Sequence, residues 1–359
     1  MSSAFDKLKN KLLVTKKKCK RDVEYLSTGS TLLNLACSDR IHGGFQKGTY
    51  VFLVGDSSSG KTFLSLTCLA EASIDRAFDD YRFVYDNAEN GALMQIEKFF
   101  GRGVAERIEP PRWDGYQGYF SSTVEEMYFH LDDAFGEGKP FIYILDSMDV
   151  LSTDEDEGKF LERKGASRTG KEISGSYGTS KAKANSAGIR RLIPKLKASG
   201  SILIIISQTR DNLGFGFEKK TRSGGHALRF YASLELWSSI KGKLKKTVKG
   251  KERQLGITCE VKVKKNRLTG KERTVEIPIY HSLGIDDLGS CIDYLLEEKY
   301  WSKNGAVLHA ADFAFKGSRD KLIEWIEENQ KEGELRELVG KVWQEIEEQC
   351  EVKRKNKYE

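Results

Sequence analysis

The chain has 359 residues, 39% of them apolar, and a net charge of +6, which allows one large core or about two domains. No run approaches the about 18 consecutive apolar residues of a membrane span, and no apolar signal core opens the chain, so a cytoplasmic protein without membrane contact is expected. Six scattered cysteines with no CxxC pair, and five histidines without ligand spacing, point away from zinc ribbons and disulfide frameworks.

The charge is uneven. Residues 1–24 carry eight Lys/Arg against three acids, 241–273 carry thirteen against three, and 317–359 carry nine against twelve. A basic middle with a mildly acidic end fits a polyanion-binding protein, and equally a solvated lysine-rich surface.

In chain order, Phe5, Leu8, Leu12 and Leu13 make a short amphipathic pattern, followed by Lys16–Lys18; a short helix and a basic arm are expected over 1–24. An apolar stretch, Leu32–Cys37, precedes Gly43-Gly44. Val51–Thr62 reads VFLVGDSSSGKT, an apolar strand stopping at Gly55 and opening into a helix at Gly60-Lys61-Thr62. This is GxxxxGK[ST], in which small residues let backbone N–H groups turn inward around phosphate oxygens. Gly55, Asp56, Ser57, Ser58, Ser59, Gly60, Lys61 and Thr62 are therefore the candidate nucleotide cradle. Lys61 would reach the β- and γ-phosphates of ATP, and Thr62 would hold Mg²⁺ at the positive helix end.

Phe63, Leu64, Leu66, Leu69, Ala70 and Ala77 continue at helical spacing, Arg82–Asp86 is a short strand ending in acid, and Thr123–Phe135 a further helix. Phe141–Leu145 is an apolar strand that delivers Asp146 at its end, the placement of a carboxylate that orients Mg²⁺ through water or the Thr62 hydroxyl. Ser152 to about Ala184 is polar with few apolar anchors and reads as a long, weakly structured insertion. A helix follows with Ile189, Leu192, Ile193 and Leu196, then the strand Ile202–Ile206 and a loop over 210–225. Three strands, Ala232–Trp237, Ile257–Val263 and Thr274–Ile279, lead to a mostly helical remainder from Asp286 with a small Trp301–Phe315 segment. The expected fold class is α/β: a mainly parallel sheet with helices on both faces and an antiparallel extension.

The motifs resemble the RecA-type recombinases, including the UvsX-like members of tailed phages. The matching pieces are STGS at 27–30, GG at 43–44, GDSSSGKT at 55–62, NAE at 87–89, ILDS at 144–147, IIISQTR at 204–210, SGGHALRFYAS at 223–233 and VKVKKNR at 261–267. They follow the family's order over about residues 25–300, and the pair SGGHALRFYAS and VKVKKNR is the specific part. The resemblance implies a RecA-like P-loop ATPase core at 25–285, after the basic arm at 1–24 and before a small, mostly helical region at 286–359.

By the same resemblance, Glu89 is the general base for the attacking water, with Asp86 the alternative because one extra residue separates the strand from Glu89. Gln208 senses the γ-phosphate. Lys265 and Arg267 reach a neighbour's γ-phosphate across a subunit interface, although VKVKKNR read alone is also a solvated strand edge. Two DNA loops fall at about 165–183 and 210–225. They offer Lys183, Arg210, Lys219, Lys220 and Arg222 for phosphates, Phe215 and Phe217 as wedges, and Gly224 and Gly225 for close backbone approach.

The implied function is an ATP- and Mg²⁺-dependent recombinase of a bacterial or phage-infected cell. It would self-associate into a helical filament on single-stranded DNA and pair it with homologous duplex DNA, with single-strand-binding and mediator proteins as further partners. The alternatives are a RecA-fold mediator or regulatory ATPase, and a ring helicase or its loader. The segment before Ser27 is short and strongly basic, whereas the family uses its N-terminal helix and strand to link subunits, and 152–175 is longer and more charged than expected, which bears on filament geometry.

Overall fold

The computed structural model describes residues 24–89, 96–169, 180–211, 220–222 and 225–354. One ten-stranded sheet organises them. Its strands are β1 (Tyr50–Gly55), β2 (Arg82–Asp86), β3 (Ile108–Glu109), β4 (Phe141–Leu145), β5 (Ile202–Asp211), β6 (Lys220–Arg222), β7 (Leu234–Val248), β8 (Lys251–Asn266), β9 (Arg273–Tyr280) and β10 (Gly284–Ile285). The order across the sheet is β10-β9-β8-β7-β1-β5-β4-β2-β3, with β6 pairing β5 off this path. Pairing is parallel from β3 to β7 and antiparallel from β7 to β10, as expected of the core and its extension.

The central strands are apolar throughout because both faces are covered. Successive side chains point to opposite faces. Val51 and Leu53 of β1 join one buried cluster with Ile204 and Ile206 of β5. Tyr50, Phe52 and Val54 join a second with Leu203 and Ile205. The first cluster takes helices α1 (Thr31–Ser38) and α2 (Lys61–Ile74); the second takes α3 (Val124–Gly136) and α5 (Ser180–Ser199). Ser30 caps α1 by accepting from Leu33 N, and Thr123 with Glu126 forms a capping box on α3, so side-chain oxygens satisfy the first free N–H groups.

Three expectations need correction. Asp154–Thr169 forms a helix, α4, inside the stretch expected to be weakly structured. Its first turn holds Asp154, Glu155, Asp156 and Glu157, which favour a helix N-terminus, and Thr153 Oγ1 accepts from Asp156 N at 3.2 Å. The segment lacks an apolar stripe because Phe160 and Leu161 are exposed. The loop expected from 210 is partly strand: Arg210 and Asp211 extend β5 and pair with Thr221 and Lys220 of β6. β7 and β8 also run far beyond the predicted Ala232–Trp237 and Ile257–Val263. They form a ribbon turning at Lys249-Gly250, both with positive φ (52° and 73°), a two-residue turn of type I′ that glycine favours.

Beyond β10, the chain forms α7 (Asp287–Glu297), α8 (Arg319–Glu328) and α9 (Glu332–Cys350), with a small three-stranded sheet inside 302–317. Ile292, Leu322, Val339 and Trp343 from this region belong to the same buried cluster as Val51.

Candidate functional site

The site lies at the C-terminal end of β1, where Gly55 pairs with Gln208 of β5 on one side and Ser238 of β7 on the other. Gly60 caps α2 at a φ of 89°, a left-handed conformation that side chains disfavour. The motif therefore turns directly into the helix, whose positive end faces a pocket of about 370 Å³. Ser57–Phe63, Glu89, Asp146 and Gln208 line it. A larger groove of about 810 Å³, between Arg40, His42 and Gly340 of α9, is lined by no residue of the phosphate loop.

Lys61 is buried and donates from Nζ to the carbonyls of Gly55 at 3.0 Å and Asp56 at 2.6 Å. Burial lowers its pKa, opposed by Asp146, Glu89, Asp149 and Asp56. Thr62 Oγ1 donates to Asp146 Oδ2 at 2.6 Å, and Tyr85 OH donates to the same oxygen at 3.1 Å. Burial raises the Asp146 pKa, against the pull of these two hydroxyls. A threonine hydroxyl beside a carboxylate is a hard-oxygen donor set that fits Mg²⁺.

The two candidate bases part clearly in geometry. Asp86 is 0% exposed, and its carboxylate accepts from Ser121 N at 2.9 Å, Ser121 Oγ at 2.5 Å and Tyr143 OH at 2.7 Å. Burial raises its pKa, with these hydrogen bonds opposing. Glu89 is exposed and lines the pocket, accepting from Ser147 Oγ at 3.1 Å and Gln208 Nε2 at 3.0 Å. Gln208 N in turn donates to Asp149 Oδ2 at 2.6 Å, and Thr209 Oγ1 donates to Asp56.

Lys265 and Arg267 sit elsewhere. Lys265 pairs with Glu235 of β7, three residues before Ser238, so it lies about 10 Å along the sheet from the phosphate loop. Lys265 Nζ donates to the carbonyls of Arg229 at 2.6 Å and Phe230 at 2.7 Å, and Arg267 Nη2 to Phe230 O at 2.6 Å. Both therefore meet the end of α6 (His226–Tyr231), where Phe230 is 63% exposed.

Of the DNA-segment residues, Arg210, Lys220 and Arg222 lie on the paired backbone of β5 and β6, while Phe215, Phe217, Lys219 and Gly224 fall outside the described residues. Lys183 is exposed in the first turn of α5. Gly225 has a φ of 82°, and a Cβ there would come within 2.8 Å of Ala182 Cβ. Glycine thus lets the second segment close onto the helix that follows the first.

Sequence reasoning missed Tyr85, Ser147, Asp149 and Thr209 around the pocket. Ser147 adjoins Asp146, Thr209 adjoins Gln208 and Tyr85 adjoins Asp86, so nearness to a candidate residue could have flagged them; Asp149 carries no such signal.

This fold and pocket define a phosphate-loop nucleotide-binding protein of the α/β class. The family model for the RecA N-terminal domain matches residues 166–286. Protein RecA of Thioalkalivibrio sulfidiphilus is 29% identical over 291 residues, spanning 80% of this chain and 74% of its own. Protein RecA of Prochlorococcus marinus is 29% identical over 343 residues, spanning 93% and 79%. The "DNA repair protein recA homolog 3, mitochondrial" of Arabidopsis thaliana is 28% identical over 327 residues, spanning 90% and 68%. The chain is thus similar to RecA proteins along most of its length.

Proposed function

We propose that the protein is a DNA-dependent ATPase that assembles on single-stranded DNA as a helical filament and pairs that strand with a homologous duplex. One observation carries the reading. Gln208 donates to Glu89 in the pocket, and the same strand runs on to Asp211 and pairs with 220–222, bracketing the segment 212–219 with its alternating glycines and phenylalanines. A change at the phosphates thus has a direct backbone route to the DNA segment. Similarity to RecA proteins supports ATP as the nucleotide and DNA as the partner.

In this reading ATP phosphates rest against the N–H groups of the 55–62 loop, and Lys61 turns its ammonium to them. Thr62 and Asp146 would hold Mg²⁺, which supplies charge neutralisation at the phosphates. Glu89 accepts the proton of the attacking water; Ser147 and Gln208 orient its carboxylate. Asp86 has no such role, since its oxygens are enclosed by Ser121 and Tyr143. Lys265 and Arg267, at the other end of the sheet, serve the neighbouring subunit's phosphates, so hydrolysis depends on assembly.

The β7–β8 ribbon extends past the phosphate-loop end of β1 and carries seven bases against one acid over 241–253. Residues 245–254 are all exposed. A two-stranded ribbon of this kind fits a duplex groove, and we assign it to capture of the second DNA.

The test is a joint-molecule assay with ATP, single-stranded DNA and either a homologous or an unrelated duplex. Joint molecules with the homologous duplex alone are expected. Hydrolysis and single-strand binding without pairing would instead favour a mediator ATPase.

A further inference from the structure

Beneath the phosphate loop, two strands outside the motif supply hydrogen bonds that no sequence pattern signals. Ser59 Oγ donates to the Asp56 carbonyl at 2.8 Å. That uses its one proton, so across the 2.7 Å contact with Ser238 Oγ it is the Ser238 hydroxyl that donates. Cys259 Sγ lies 3.0 Å from the Ser59 carbonyl and donates its S–H there. Burial pushes the Cys259 thiol up to about 12, so it keeps that proton at neutral pH.

The Asp56 carbonyl is the common point. It accepts from Ser59 Oγ and also from Lys61 Nζ, at 2.6 Å. A chain of contacts therefore runs from Ser238 through Ser59 and Asp56 to the lysine of the motif. Ser59, Ser238 and Cys259 are all buried, so water cannot replace a lost donor without cost. The fit is close: a Cβ on Gly55 would overlap both the Ser238 hydroxyl and its carbonyl.

We propose that Ser238 and Cys259 are positioning residues of the ATPase, fixing Ser59 and, through the Asp56 carbonyl, the stance of Lys61 and the curvature of the phosphate loop. The inference rests on the nucleotide-binding reading above. Its consequence is that β7 and β8, the strands of the lysine ribbon, shape the phosphate loop from below.

The test compares C259S, which keeps a donor, with C259V, which keeps an apolar side chain of similar bulk without one, and adds S238A. Binding of a fluorescent ATP analogue with Mg²⁺, ATPase kinetics and Tm are measured on each full-length protein. C259S is expected to bind within about twofold of wild type. C259V and S238A should raise Kd and KM about threefold to tenfold, with kcat changed less and with C259V melting no lower than C259S. A packing role predicts the reverse order of affinity, with C259V like wild type and C259S weaker, and that result overturns the inference. Wild type that binds nucleotide while C259V and S238A are unchanged overturns it alone. Wild type that binds no nucleotide overturns the ATPase reading and this inference together.

Discussion

Gln208 Nε2 donates to Glu89 Oε1 across 3.0 Å, joining the strand that leads to the proposed DNA segment with the carboxylate that faces the phosphate-loop pocket. In the proposed mechanism this contact lets Gln208 report on the pocket while holding the Glu89 carboxylate in place. Gln208→Ala should therefore lower the stimulation of hydrolysis by single-stranded DNA more than the DNA-free rate. ATPase assays with and without DNA measure it; equal loss in both would remove Gln208 from the coupling.

Lys61→Ala should abolish hydrolysis, because loss of a fixed cation at the phosphates forfeits roughly several kcal/mol of transition-state stabilisation. Steady-state ATPase assays, with Tm as a control for folding, check this.

Glu89→Gln should retain ATP binding and lose turnover, whereas Asp86→Asn should act on stability. The amide at 86 cannot satisfy all three donors from Ser121 and Tyr143, at a cost of about 1–3 kcal/mol in denaturant melts. The pH dependence has a definite sign. Burial raises the Asp86 pKa in the folded state, so its contribution is present below the unfolded pKa and is lost as pH rises through the folded one. The stability gap between wild type and Asp86→Asn should accordingly narrow as pH rises. Normal turnover in Glu89→Gln with none in Asp86→Asn would reverse the assignment of the base.

Mixing subunits carrying Lys265→Ala and Arg267→Ala with Glu89→Gln subunits should restore part of the hydrolysis, since a mixed interface can combine an intact base with intact donated cations. ATPase activity is measured across mixing ratios, with co-assembly confirmed by light scattering. No recovery at any ratio would count against donation between subunits.

DNA contacts should separate by salt slope. Alanine at Lys219, Lys220 and Arg222 should flatten the salt dependence of single-strand binding by about 0.7 per lost contact. Alanine at Lys246, Lys249 and Lys251 should flatten duplex binding by about 0.9 per contact. Changing Phe215 and Phe217 should leave both slopes intact while impairing pairing, each ring contributing roughly 1–3 kcal/mol where a base stacks on it.

Elements whose cause is local were legible in the sequence. Arg82–Asp86 and Phe141–Leu145 are strands with the predicted bounds, because each is a short apolar run covered on both faces. The phosphate loop was legible because glycine, lysine and threonine have fixed roles at fixed spacing. Asp154–Thr169 was not, since a helix held by an acidic first turn shows no apolar stripe. The outer halves of β7 and β8 were not, since lysines on both exposed faces hide the strand alternation. Ser238 reaches Ser59 from 179 residues away, through a sheet register that spacing along the chain does not encode. The burial of Asp86 likewise depends on Ser121 and Tyr143, from other elements.

ATP-dependent assembly on single-stranded DNA is the core of the proposed function. Electron microscopy of the full-length protein with Mg²⁺, a slowly hydrolysed ATP analogue and long single-stranded DNA tests it most directly. A regular helical filament along the DNA, absent with Lys61→Ala, is the expected result. Closed rings, or isolated particles scattered on the strand, would contradict it.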